Sequence, residues 1–547
     1  MVKIRKIAAA AVSIILGASL FACGNEDKGS GTGHMFDVPL LGNPESLDPQ
    51  FADDPSSNTV IKNLYSGLME IDSSGNVVCR NAESYNVSQD GMVYTFKLRD
   101  DNFWFFDEND DDVITEDEYF PVTAQDYAFA LRRVLDPAMK SPYAEDFSCI
   151  MGAYEVMHKL EPVSFAEIYA PDDRTLQIVL NEPNAEFLSV MATAGAFPCN
   201  EEFFNSTKGR YGLDDRSVMS NGAFFVRQWF YDPYGSNNIL YMKRNDANWS
   251  ETFDIMPSFL SFTIEESEED IKAEFKDDNI ECFTAMSSSG YNPGKYVIEG
   301  IPANTLGLVF SPDSKYFANE NLRKALALAI DRESLSAELE GGLQTAGGII
   351  PPAVMLHGRS YRELVSDAFT AYSPEEAVEC FNAAKAELNT ENFGEVKILV
   401  NAETVNSAYL HIVTRSWQEL FGFYIGIEDV SAEEFDRRIS EGDFTIALYP
   451  LRSRLAMGVS FFREIEKLPF MAAAVPEEGF SGGLTGCSTV TELVSAYTSA
   501  ERAVIDSYWF VPVFYKDSCL IASSDNEDIM YDPFTGAVDY RLALNYD

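Results

Sequence analysis

The sequence predicts an α/β fold, and three observations carry that prediction. Strand-like stretches alternate with helical ones along most of the chain, helix starts carry capping chemistry, and one region reads strand, helix, strand in succession. At Thr123-Ala124-Gln125-Asp126 a capping box opens a helix. Its Tyr127, Leu131, Val134 and Leu135 recur on one face before Asp136-Pro137 stops it. From Asn319 to Leu335 a second helix is predicted, with Leu322, Ala325, Leu326, Ala329 and Ile330 forming a stripe that faces the core. Ser373-Pro374-Glu375-Glu376 supplies a cap, a first-turn proline and acids at the positive end of a third. A helical stretch ending near Leu420 leads into a strand over 423–430, an acidic helix over 431–440 and a strand over 444–450. That order predicts a parallel pair joined by a right-handed crossover.

The first residues have a different character. Lys3, Arg5 and Lys6 precede the apolar run Ile7 to Phe21, whose fifteen residues fall short of the ~20 that a membrane span needs. The run ends in Leu20-Phe21-Ala22-Cys23, which reads as a secretory signal over residues 1–22 closed by a lipobox, with Cys23 the expected site of lipidation. Phe21 is bulkier than usual in that position. Residues 23–35 (CGNEDKGSGTGHM) are Gly-rich and otherwise mostly small or polar, the composition of a flexible tether between a membrane anchor and a folded body. The protein is therefore expected outside the cytoplasm, held to the membrane by lipid.

Composition narrows the partners. A formal net charge of −47, spread along the chain, argues against nucleic acid, whose phosphates draw on clustered Lys and Arg. Hydrophobic residues at 46% and aromatics at 13% suit a well-packed body of about three domains. The cysteines after Cys23 (79, 149, 199, 282, 380, 487 and 519) are widely spaced, without a CxxC pair. Most read as small buried hydrophobes, although the expected compartment permits a disulfide.

Five motifs occur in order along the chain: Asn43-Pro-Glu-Ser-Leu-Asp-Pro49; Pro121-Val-Thr-Ala-Gln-Asp126 with Leu135-Asp-Pro137 and Ser141-Pro-Tyr143; Ser220-Asn-Gly-Ala-Phe224 followed by Trp229; Leu322 to Arg332; and Phe510-Val-Pro-Val-Phe514. Together they resemble the extracellular solute-binding proteins of the peptide and nickel class (family 5), best represented by oligopeptide-binding lipoproteins of ABC importers. The resemblance implies a two-lobed, periplasmic-binding-protein-like fold (class II, with an extra domain) whose ligand cleft lies between the lobes. It implies a lobe I core from residues 36–55, 203–303 and 518–547, an extra domain over 56–202, and lobe II over 304–517. It also implies capture of a peptide or other small solute for ABC permease subunits by lobe closure, not catalysis. Two alternatives stay open: a surface sensing or adhesion protein of the same fold, or a binder of a non-peptide solute such as an anionic small molecule, an oligosaccharide or a metal chelate.

The same resemblance implies cleft residues. The opening motif points to Asn43, Pro44 and Glu45 as partners of peptide backbone, with Pro44 unable to donate. Tyr143 matches an aromatic facing ligand, Asn304 a segment crossing into lobe II, and Phe514 and Tyr515 aromatics on its far side. Relatives usually carry a Trp and then an acidic residue after the strand over 444–450, and the acid holds the ligand's amino group. Leu451 and Arg454 stand at those places here, so a free amino terminus is not the expected anchor. Arg452 and Arg454 suit a carboxylate or another planar anion.

Other chemistry finds little support. Asp107, Asn109, Asp111 and Glu118 fall at positions 1, 3, 5 and 12 of a calcium-loop spacing, but Asp112 occupies the sixth place, where a sharp turn wants Gly. An acidic hairpin insertion is the preferred reading, with Ca2+ the alternative; no other cofactor is expected. Only four histidines occur (34, 158, 357 and 411), without an HExxH or Walker-type motif. A glycoside hydrolase would be the enzymatic rival, and no carboxylate spacing supports one.

Overall fold

The computed structural model describes residues 35–545 apart from 109–114, 116–117, 236–237, 249–254, 341, 366–370, 478 and 485. Cys23, Asn109 and Asp111 lie outside the described residues. Two large buried clusters organise the chain. One runs from Leu306 to Phe514. The other gathers residues from Phe36 to Ile264, together with Cys282, Leu520, Ala522 and the C-terminal Val538, Tyr540 and Ala543. These are the cores of two lobes, and the chain crosses between them more than once.

In lobe I the strand Met35–Leu41 pairs in parallel with Phe259–Glu265, and the sheet continues antiparallel through Ile239–Arg244 to Phe224–Phe230. Residues 56–202 add an antiparallel sheet of four strands, Ala82–Val87, Val93–Leu98, Thr175–Val179 and Ile168–Asp172. Their buried side chains, among them Phe96, Leu131 and Ile178, join the lobe I cluster. The helix Ala124–Leu135 starts with the expected capping box and ends at Asp136. Ser220-Asn221-Gly222 is a packing motif: Ser220 Oγ donates to Leu64 O at 2.8 Å and Asn221 Nδ2 to Ser66 O at 2.8 Å. A Cβ on Gly222 would stand 2.7 Å from the Leu64 carbonyl, so no larger residue fits that approach.

Two long strands, Tyr296–Phe310 and Phe510–Ser523, run antiparallel through both lobes, with breaks in register at Pro302/Asn304 and Leu306/Gly307. Nearly every residue of Phe510–Ser523 is buried, as expected of a strand covered on both faces. Each break is an irregularity of the kind that bends a strand and interrupts its ladder.

Two expectations for lobe II are corrected. The stretch 319–335 forms two helices, Glu320–Leu328 and Arg332–Ser336, because the Asp331 carboxylate accepts from the N–H groups of Glu333 and Ser334 and starts the second. The stripe Leu322, Ala325, Leu326, Ala329 and Ile330 is nonetheless fully buried. The strands Ile425–Val430 and Ile446–Leu451 are not neighbours either: Val396–Asn401 lies between them, parallel to both. Its Val396, Ile398, Leu399 and Val400 are all buried, as suits a strand paired on both sides.

Candidate functional site

The lobes meet around the loop that follows strand Ile446–Leu451. Leu455 and Met457 of this loop belong to the lobe I cluster, so lobe II inserts apolar side chains into its partner. Beside them Arg454 Nη2 donates to Asp146 Oδ2 at 2.7 Å, and Arg463 Nη1 donates to Asp146 Oδ1 at 3.1 Å. Asp146 stands on a short helical turn, Ala144–Phe147, that begins just after Tyr143. The Arg454 guanidinium lies over the Tyr143 ring, 4.8 Å from its centroid, and Tyr143 Oη donates to Ala52 O at 2.9 Å. Burial holds the Asp146 carboxyl above the usual carboxylate range, with Arg454 and then Arg463 pulling it back.

A second contact closes the same seam. Tyr497, from helix Val490–Asp506, donates its hydroxyl to Glu186 and accepts from the N–H of Val459 at 3.1 Å. The N–H of Ala185 donates to Cys487 O at 2.8 Å. Glu186 is buried, and that burial pushes its carboxyl up to about 7 against the opposing pull of Tyr497 and Arg463. The seam is thus stitched by a buried hydroxyl–carboxyl bond and by an ion triad in which Asp146 is buried and the two arginines are half-buried.

The other residues expected in the cleft have different settings. Asn304 is buried at the register break, where its Nδ2 donates to Lys516 O at 3.3 Å and Ser518 Oγ at 3.1 Å. Phe514 is fully buried in the lobe II core, which leaves its ring no surface to offer a solute in this conformation. Tyr515 is also buried, its hydroxyl accepting from Gly348 N at 3.0 Å and donating to Gly348 O at 3.1 Å. Arg452 is exposed and within electrostatic reach of Lys516, whose amine burial lowers to about 8 with Arg452 adding to the effect. Asn43, Pro44 and Glu45 follow the first strand and are not part of it. Asn43 Oδ1 accepts from Trp229 Nε1 at 2.8 Å, Pro44 is buried and Glu45 exposed.

Of the calcium-spacing residues that are described, Glu118 Oε2 accepts from Thr115 N at 3.2 Å and Thr115 Oγ1 at 2.9 Å. The backbone carbonyl of Asp107 accepts from Arg216 at 2.9 Å. Among the described residues no group of three or more His, Cys, Asp and Glu side chains converges to hold a metal. The seven described cysteines are free thiols. No helix of the described residues is long and apolar enough to cross a membrane. One G-x-S-x-G pattern does occur, Gly479-Phe480-Ser481-Gly482-Gly483. Ser481 Oγ donates to Glu466 Oε2 at 3.0 Å and its N–H to Oε1 at 2.7 Å, ahead of a 3-10 turn at Gly482–Leu484 and not on a strand-to-helix elbow.

Sequence reasoning missed Asp146, Arg463, Glu186 and Tyr497. Tyr143 and Asp146 share a turn and could have been paired. Nothing local links either acid to residues more than 300 positions away.

A sequence model of the bacterial extracellular solute-binding proteins, family 5 (middle region), matches residues 76–463, more than half of the chain. The oligopeptide-binding protein AliB of Streptococcus pneumoniae is 25% identical over 485 residues, covering 77% of this chain and 71% of AliB. The dipeptide-binding protein of Lactococcus lactis is also 25% identical, covering 98% of this chain and 97% of its own length. The solved structure of the pheromone receptor PrgZ, described with its mode of peptide binding, superposes with a TM-score of 0.70 at 22% identity, over 94% of this chain and 100% of that one.

Proposed function

The chain belongs to the bacterial extracellular solute-binding proteins of family 5, and from that premise we propose that it captures peptides for an ABC importer by closing its two lobes around them. The observation that carries the reading is the seam itself. A loop of lobe II seats Leu455 and Met457 in the lobe I core and puts Arg454 on Asp146, and the helix Gly458–Glu466 after it adds Arg463. Such a seam forms only when the lobes are shut, and the register breaks in the crossing strands supply the rotation. Closure removes a bound solute from water and creates a shape that a membrane partner can distinguish from the open one. Relatives named for oligopeptide and dipeptide binding support peptide as the cargo.

The leader features support a lipid anchor at Cys23: a basic start, a short apolar run, the lipobox and a tether. Replacing Cys23 with Ala should then move the protein from the membrane fraction to the medium or periplasm. Retention on the membrane would remove the anchor from the proposal. The cargo is tested by native mass spectrometry of residues 24–547 exposed to a mixed pool of di- to hexapeptides, monosaccharides and nickel chelates. Retention of peptides at one per chain is expected. Retention of only sugars or chelates would replace the peptide reading with another solute.

A further inference from the structure

The ion triad at the seam is incomplete in a specific way. Arg454 contacts Asp146 through Nη2 alone, and its Nη1 is buried with no hydrogen-bond partner. A guanidinium presents its N–H donors as a fork that a carboxylate can fill with two parallel bonds. Asp146 cannot fill it, because its other oxygen is held by Arg463. One carboxylate is therefore divided between two guanidiniums, and the three groups together carry one positive charge. A buried donor without an acceptor is unfavourable, and so is a net charge taken from water.

The neighbours do not supply the missing acceptor. Tyr143 lies under the Arg454 plane, and its hydroxyl is committed to Ala52 O. Glu145 is exposed, while Lys467 adds positive charge and is paired with Glu464 at 2.8 Å. Glu186 is committed to Tyr497. In a chain of formal charge −47, a half-buried cationic cluster at the meeting of two lobes is out of keeping with the rest of the surface.

We infer that Asp146 is an internal stand-in for a ligand carboxylate, and that a carboxylate-bearing solute completes the Arg454 fork while Asp146 stays with Arg463. This rests on the peptide-capture reading and adds the end of the solute that is recognised. Because Nη1 is out of reach once the lobes are shut, the solute enters the open form and the fork is filled on closing. Asp146 then works as a built-in competitor: it holds the seam together when the cleft is empty and yields one bond to an anionic solute. Neutral solutes gain nothing from the fork, so the device discriminates by charge.

The carboxylate could be a peptide's own C-terminus or an acidic side chain, and the test separates them. Three pentapeptide pools are compared by calorimetry on residues 24–547: neutral residues with a free C-terminus, the same pool amidated, and an amidated pool carrying one central Glu. Binding about tenfold or more tighter than the amidated neutral pool, the factor corresponding to ~1.4 kcal/mol, is expected for at least one acidic pool, and its identity names the source. Arg454→Gln should abolish that preference while still binding the amidated pool, and Arg454→Lys, which keeps charge without the fork, should fall between. Asp146→Asn should strengthen binding of the preferred acidic pool and leave the amidated neutral pool unimproved. Equal affinity for all three pools in the parent protein, or a preference that survives Arg454→Gln, overturns this inference and leaves peptide capture standing. No binding of any pool overturns both. A melting curve of each variant identifies any loss of fold, and if Arg454→Gln fails it the Lys variant and the parent comparison still decide.

Discussion

Glu186 and Tyr497 show how single residues set the conditions for closure. The carboxyl is buried at the seam and lifted from 4.5 to about 7 by loss of water, so the shut form holds its proton more tightly than a form that exposes it. A raised carboxyl pKa gives a stabilisation of closure that is complete below about 4.5 and is lost as pH rises through about 7. Peptide affinity should therefore weaken between pH 5 and pH 8. Glu186→Gln, which can still accept from Tyr497, should flatten that part of the profile, a difference on the order of 1–3 kcal/mol across the range. Calorimetry at fixed ionic strength is the check, and an unchanged slope in the variant would remove Glu186 from the account. Neither Glu186 nor Asp146 stood out in the sequence among 87 acidic residues. Their partners come from the other lobe, and no local pattern records a contact across 308 or 311 positions.

At the scale of elements, the parts legible in the sequence are those with local causes. Helices start at Thr123, Asn319, Ser373 and Ser431 as expected; Thr123 opens with its capping box, Asn319 and Ser431 bond first-turn N–H groups directly, and Ser373 precedes its helix without a side-chain cap bond. The break at Asp331 was also written locally, as an Asp able to cap, but the apolar stripe continues through Ala329 and Ile330, beyond the end of the first helix at Leu328, and concealed the interruption. The place of Val396–Asn401 between Ile425–Val430 and Ile446–Leu451 was not legible, because strand order depends on which faces the helices cover and not on the order of the chain. Helix Gly458–Glu466 connects element to site. A Cβ on Gly458 would stand 2.7 Å from Tyr497 Cζ and 2.8 Å from Ile350 Cδ1, so the helix start can approach Tyr497 only as Gly. Gly458→Val should push Tyr497 away from Glu186 and Val459, costing about 1–3 kcal/mol from overpacking and weakening peptide affinity with little change in secondary structure. Circular dichroism alongside calorimetry separates this from general unfolding, and unaltered affinity would show that Tyr497 is not needed for closure.

At the scale of the whole molecule, two cores share a pair of strands whose register breaks at Pro302/Asn304 and Leu306/Gly307, and one loop carries both apolar and ionic contacts across the seam. The motifs that identified the family mostly serve this frame. Arg323 donates to Phe317 O at 2.8 Å and lies 3.7 Å from the ring centroid of Trp509, just ahead of the second crossing strand, while Arg332 Nη2 donates to Pro512 O on that strand at 2.5 Å, tying the helices of lobe II to it. Fold was therefore readable from motif order, whereas the seam was not, since it exists only where the lobes meet. The central claim is that the lobes close upon a peptide, and small-angle scattering of residues 24–547, stripped of solute by unfolding and refolding, tests it most directly. On adding a pentapeptide pool the radius of gyration should fall saturably towards the value calculated for the shut structure, and Asp146→Asn, which removes the ionic tie to Arg454 and Arg463, should show a larger radius before peptide is added. Peptide bound at one per chain with no change in radius would contradict closure as the means of capture.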